Sequence, residues 1–173
     1  TPAYQGGTYN YEYHQGRLHK MVENANRETY YMWEGDRIVK EEKYTNGLLS
    51  KYVLYHYDQA GNIGEAAFHY KQPDGSIKLG LLFVYLYFTD GNLYKKMAYN
   101  PMEGSDEYSL ISTVTYDNYL DAENPFPVEI IPNVNSQPKL PGSYREEANG
   151  HDTLYNFTYE FDGSGRPLKR TAT

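Results

Sequence analysis

Residues 85–96 read Y-L-Y-F-T-D-G-N-L-Y-K-K, and the same phrase returns with changed wording elsewhere in the chain. It appears as Y-H-Y-D-Q-A-G-N-I at 55–63 and as Y-E-F-D-G-S-G-R-P-L at 159–168. Each copy runs aromatic, any residue, aromatic, then a short polar turn with glycine, then an aliphatic residue. The alternation has period two, which sets the aromatics of one copy on one face of a strand. Asn-Gly and Asp-Gly favour a two-residue type I′ turn, because both central residues need positive φ. An aromatic before the turn and an aliphatic after it then meet across an antiparallel pair, at roughly 0.2–1 kcal/mol each. The phrase is a β-hairpin, and a row of hairpins is a meander.

Turn signals of this kind stand at Asn46-Gly47, Asp74-Gly75, Asp90-Gly91 and Asp162-Gly163, with further glycines at 16, 35, 61 and 165. Between them Tyr9, Tyr11 and Tyr13 share a face, as do Tyr31 and Trp33, Phe68 and Tyr70, Phe83, Tyr85 and Tyr87, and Phe157, Tyr159 and Phe161. The aliphatics that follow the turns are Leu18, Ile38, Leu49, Ile63, Ile77, Leu93 and Leu168. The spacing from aromatic to glycine varies, and a one-residue slip reverses the facing, so the common face stays open at this stage. The spacing predicts an all-β antiparallel meander of about 11–12 strands in one domain over 1–173, strongly curled or closed into a barrel-like sheet that shelters its edges. Residues 100–109 read as a loop with room for one helical turn. Residues 121–151 hold Pro125, Pro127, Pro132, Pro138 and Pro141, and proline cannot donate to a ladder. They are expected to form an excursion able to act as a lid, with Val128 to Ile131 as a short strand or helix inside it.

Composition narrows the function classes. Leu, Ile, Val and Phe are only about 19% of the 173 residues, a level that by itself suggests disorder. The 21 tyrosines compensate, and because each hydroxyl needs a partner or water they suit a thin sheet better than a thick globule. The net charge of −7 and the lack of a basic stripe exclude nucleic acid as a partner. There is no cysteine, hence no disulfide and no thiolate metal site. The longest apolar run, Leu79 to Phe88, is about ten residues and contains Gly80, too short for a transmembrane helix. Ile38-Lys40-Glu42 and Val39-Glu41-Lys43 put charge on both faces of one strand, against a lipid-facing barrel, and the mean hydropathy of −0.80 agrees.

Chemistry-bearing residues are few. The five histidines are dispersed; His56 and His69 each sit between aromatics and read as strand-surface residues, with a shared metal as the alternative. Glu41-Glu42, Glu103-Asp106-Glu107 and Glu146-Glu147 read as solvated surface. Asp58, Asp74, Asp90 and Asp162 invite a calcium reading, but aspartate in turns is explained by hydrogen bonds to its own backbone. No catalytic residue, metal ligand or cofactor is assigned. The aromatics remain: Trp33, the single tryptophan, with Tyr31, Tyr55, Tyr57, Tyr85 and Tyr87 are the candidate ligand-binding residues.

The three hairpin phrases resemble the Tyr-Asp repeat of Rhs and teneurin-type shells. The early meander, T-Y-D-N at 115–118, N-P-F at 124–126 and T-Y-E-F-D-G-S-G-R-P at 158–167 resemble a Bacteroidetes family of secreted or lipid-anchored proteins of unknown function with a porin-like fold. That resemblance implies an extracytoplasmic address, in the periplasm or on the outer-membrane surface, with a lipid anchor on a segment before Thr1. It carries no catalytic residues. The expected function is a non-enzymatic cell-envelope binding or scaffold module, for glycan or protein. The alternatives are a carrier of a lipophilic ligand and a hydrolase with an unrecognised site.

Overall fold

The computed structural model describes residues 9–126, 131–132 and 134–173, and within them every regular element is a strand. The strands are β1 (Asn10–His14), β2 (Arg17–Asn24), β3 (Arg27–Glu34), β4 (Arg37–Thr45), β5 (Leu48–Tyr57), β6 (Ile63–Lys71), β7 (Ile77–Tyr87), β8 (Leu93–Pro101), β9 (Tyr108–Asp117), β10 (Leu120–Glu123), β11 (Lys139–Leu140), β12 (Ser143–Ala148), β13 (His151–Phe161) and β14 (Pro167–Ala172). The strand order is β1-β2-β3-β4-β5-β6-β7-β8-β9-β12-β13-β14, with β10 and β11 in a ladder of their own. The expected antiparallel meander is therefore present as a sheet of 12 strands, and the β10–β11 ladder brings the described residues to 14 strands in all. No helix of the described residues is long and apolar enough to cross a membrane.

The chain divides into two compact units, Thr1–Tyr55 with Ala67–Gly80, and His56–Ala66 with Leu81–Thr173. In the first, β1 to β5 pair in succession, and Ile38 and Val53 are buried with Tyr31 and Tyr55. In the second, β7, β8, β9, β12, β13 and β14 pair in succession around buried Ile63, Tyr85, Leu93, Tyr116 and Leu140.

The aromatic-to-aliphatic pairs form at four hairpins: Tyr13 faces Leu18, Trp33 faces Ile38, Tyr44 faces Leu49 and Tyr87 faces Leu93. In each case a β-bulge on the second strand follows the aliphatic, the extra residue being His19, Val39, Ser50 or Tyr94. The extra residue shifts the pairing by one beyond the aromatic–aliphatic pair and so resets which side chains face each other along the rest of the ladder. At the last hairpin the bulge hands Phe161 to Pro167 rather than to Leu168, which stays exposed.

The turn chemistry differs from expectation. Asn46-Gly47 has positive φ at both residues, as do Gln15-Gly16 and Asn149-Gly150. Asp74 and Asp90 do not; only the glycine after each is left-handed, and in the Asp162 turn it is Gly165 rather than Gly163. These turns close a three-residue loop, with Gln72 N–H donating to Ser76 O at 2.8 Å and Gly75 N–H to Gln72 O at 2.9 Å. The aspartate carboxylate decides this. Asp74 accepts from Ser76 N–H at 2.9 Å, and Asp162 from Ser164 N–H and Arg166 N–H at 2.9 Å, contacts that fix the turn around the side chain.

Two boundaries move. The loop expected at 100–109 is present at residues 102–107, and the strands reach into its ends, where Asn100 pairs with Ser109 and Pro101 with Tyr108. The excursion ends earlier than residue 151, because Ser143–Ala148 carries no proline and pairs with β9 on one side and β13 on the other. Val128 to Ile130 lies outside the described residues.

Candidate functional site

The six aromatic candidates fall three to each unit. In the first, Tyr31 pairs with Glu41 and Glu41 with Val53, which sets Tyr31, Glu41 and, two residues along β5, Tyr55 on one face. Glu41 was expected on the surface but is only 5% exposed. Burial pushes its carboxyl above the ordinary range, opposed by Lys43, by a hydrogen bond with Tyr55 and by Lys51. The Lys43 ammonium lies 3.7 Å away. Trp33 is half-buried and held: its indole N–H donates to Leu18 O at 2.8 Å, and the Arg17 guanidinium lies 5.8 Å from the ring. These three aromatics are thus engaged in packing, Tyr31 and Tyr55 as core.

In the second unit, Tyr57 is half-buried, while Tyr85 and Tyr87 line a groove of about 550 Å³ with Asp58, Asn62, Phe88 and Asp90. Two copies of the repeated phrase build it. Asp58 accepts from Asn62 N–H at 2.8 Å and from its amide at 3.2 Å; Asp90 accepts from Asn92 N–H at 3.1 Å and from its amide at 2.8 Å. Burial raises the Asp58 carboxyl, but hydrogen bonds from Asn62, Gly61 and Ala60 outweigh it and hold the group below the ordinary carboxylate range. Hydrogen bonds from Asn92 hold Asp90 low as well. Phe88 is exposed on the rim, edge-on to Tyr94 at 5.0 Å and to Tyr119 at 6.1 Å. The groove therefore offers aromatic surface beside ionised acceptors fixed by their turns.

The excursion fastens beside this groove through residues the sequence did not single out. Tyr119 O–H donates to Leu93 O at 2.6 Å, Gln137 amide N–H to Tyr119 Oη at 3.0 Å, and Lys139 N–H to Asn92 Oδ1 at 2.9 Å. A second concavity of about 650 Å³ is lined by Glu123, Asn124, Pro125, Asp162, Arg166 and Leu168, among others. The side-chain amide nitrogen of Asn124 is buried there with no hydrogen-bond partner among the described residues. Asp162 is held at about 2, chiefly by the Ser164 hydroxyl and Arg166 N–H.

His56 and His69 have separate partners: His56 Nδ1 is 3.8 Å from Glu65, and His69 stacks on Tyr52 at 4.4 Å. Among the described residues no group of three or more His, Asp and Glu could hold a metal ion.

No family model and no curated protein matches this chain. Among solved structures, a porin-like protein from Bacteroides vulgatus is similar in fold, with TM-score 0.62 and 11% identity over 94% of this chain and 85% of that one. A protein with unknown function from Bacteroides fragilis aligns over 97% of this chain and 94% of its own, at 10% identity and TM-score 0.41. A DUF3836 family protein from Bacteroides vulgatus covers 60% of this chain and 89% of its own, at 18% identity and TM-score 0.34. At these identities the likeness concerns fold alone, and the first carries it.

Proposed function

We propose that this protein is a non-enzymatic glycan-binding module of the bacterial cell envelope. The observation that carries the reading is the groove in which exposed Phe88 and half-buried Tyr87 stand over the buried ring of Tyr85, beside the fixed acceptors of Asp58, Asn62 and Asp90. A sugar presents an apolar C–H face to an aromatic ring and hydroxyl donors to carboxylates and amides, so the two kinds of lining serve one ligand. Its volume lies in the range typical of small-molecule sites. Catalysis is disfavoured by the same carboxyls. A glycosidase needs one acid held unusually high, whereas Asp58 and Asp90 are both held low. The envelope address, the lipid anchor, kinship with the Bacteroidetes family of unknown function and with Tyr-Asp repeats, and curling of the meander into a barrel-like form belong to this reading. The fold likeness to a Bacteroides porin-like protein supports the address and the curl.

Calorimetric titration with neutral hexose and N-acetylhexosamine trisaccharides tests it. Binding is expected, weakened about tenfold or more in Phe88→Ala, equivalent to about 1.4 kcal/mol. Absence of heat with every sugar, or unchanged affinity in Phe88→Ala, would overturn the assignment.

A further inference from the structure

Two copies of the repeated phrase close in the same turn but leave their asparagines in different states. At 58–62, Asp58 N–H donates to Asn62 O at 2.8 Å and Gly61 N–H to Asp58 O at 3.1 Å. At 88–92, Phe88 N–H donates to Asn92 O at 2.8 Å and Gly91 N–H to Phe88 O at 3.0 Å. Asn62 and Asn92 therefore hold equivalent places. Each has its side-chain nitrogen gripped by a carboxylate, Asp58 at 3.2 Å for Asn62 and Asp90 at 2.8 Å for Asn92. An ionised carboxylate only accepts, so both amides are fixed with nitrogen toward the acid and Oδ1 left over as an acceptor.

At Asn92 that acceptor is used. The residue is fully buried, and its Oδ1 takes the backbone N–H of Lys139, from the excursion, at 2.9 Å. Asn62 is half-buried and lines the groove with Tyr87 and Phe88, and its Oδ1 accepts no hydrogen bond from any described residue. Lys139 thus shows which donor an asparagine held in this turn takes, the N–H of a secondary amide. A ligand that completes Asn62 in the same way carries such an N–H next to an apolar surface for the rings. We infer that the groove selects a 2-acetamido sugar, with Asn62 Oδ1 accepting the acetamido N–H and the exposed Phe88 ring taking the adjoining methyl and sugar face. This rests on the glycan reading above and names the sugar class within it. A hexose hydroxyl donates but brings no methyl to the rings, and an acetate ester brings the methyl without the donor. An extended peptide offers the same N–H, but the stacking surface and the acceptors for hydroxyl groups are fitted to a sugar ring.

Calorimetric titration with β-1,4-linked trisaccharides of N-acetylglucosamine, glucose and 2-O-acetylglucose tests the selection, with acetyl-Ser-Gln-Pro-Lys-amide, a copy of residues 136–139, as the peptide arm. The N-acetyl form is expected to bind about tenfold or more tightly than either other sugar, and Asn62→Ala to bring that ratio to about one. In the wild type the Asn62 side-chain amide resonances are expected to shift with the N-acetyl form while those of Asn92 stay, a readout that stands even where the variant folds poorly. Equal affinity for the three sugars, or a preference that leaves the Asn62 resonances unmoved, overturns selection by Asn62 and spares the groove. A peptide that binds as tightly as the N-acetyl sugar does the same. Binding of the peptide alone, or of no ligand, overturns both readings.

Discussion

Gly142→Ala is expected to destabilise the protein by about 2–3 kcal/mol, an overpacking cost set by backbone rather than by a movable side chain. A methyl carbon at 142 would run into the Asn118 carbonyl oxygen and lie 2.9 Å from the Asn118 Cβ. Neither neighbour can retreat. Asn118 is a non-glycine residue with φ of 56°, pinned by its N–H donating to Asp117 Oδ1 at 2.7 Å and its amide donating to Ser143 Oγ at 3.1 Å. Gly142 is held on both sides, its N–H donating to Asp117 O at 3.1 Å and its carbonyl accepting from Phe157 N–H at 2.8 Å. This is the stitch at which the chain leaves β9 for the excursion and re-enters the sheet as β12. A drop of about 5–10 °C in thermal midpoint is expected for a chain of this size. Gly163→Ala is the control, since nothing lies within 4 Å of a methyl there and its φ is not positive; it should change stability by less than about 0.5 kcal/mol. Equal midpoints for the two variants would show that the stitch yields freely.

The meander was legible because its signals are local. An aromatic, a turn and an aliphatic within nine or so residues specify a hairpin, and Trp33 with Ile38 or Tyr87 with Leu93 meet as that logic requires. What periodicity could not supply was the common face, because a bulge is an irregularity of the backbone that leaves no mark in side-chain spacing. The return of the chain at Ser143 was missed for a related reason. Its partners Asp117 and Asn156 lie across an excursion or a full hairpin, and nothing local announces them. Asp58 and Asp90 were visible as turn residues, and their hydrogen bonds agree with that role. Their convergence on Tyr85 and Tyr87 follows only once two hairpin ends share one groove. Tyr31, Tyr55 and Tyr85 show the opposite error: ring chemistry suggested a binding surface, but flanking strands bury them, and exposed rings such as Phe88, Tyr108 and Phe161 stand at strand ends instead.

The second large effect follows from Glu41, whose side chain is 6% exposed between Tyr31 on β3 and Val53 and Tyr55 on β5. Burial dominates its environment; the attractions of Lys43 and Lys51 and the Tyr55 hydrogen bond recover only part of the lost hydration, so the folded carboxyl titrates above its unfolded value of 4.5. Burial also lowers Lys51, with Lys43 adding to it, and it raises the Tyr31 phenol, with the Glu41 charge adding to that. An acid raised on folding binds its proton more tightly in the native state. Its contribution to stability is therefore complete below the unfolded value and is lost as pH climbs through the folded one. Glu41→Gln keeps the shape and hydrogen-bonding capacity of the neutral carboxyl, through an amide, while removing the charge. The variant is expected to be more stable than wild type by about 1–2 kcal/mol at pH 7 and indistinguishable from it below pH of about 4, in paired urea titrations. Pairing the two proteins at each pH matters, because Glu28, Glu42, Asp58, Asp74, Asp90 and Asp162 are all held low and weaken both proteins in acid. A variant less stable than wild type at neutral pH would mean that Lys43 and Lys51 outweigh burial, and the carboxylate would then be a structural anion of the tyrosine face rather than a cost carried within it.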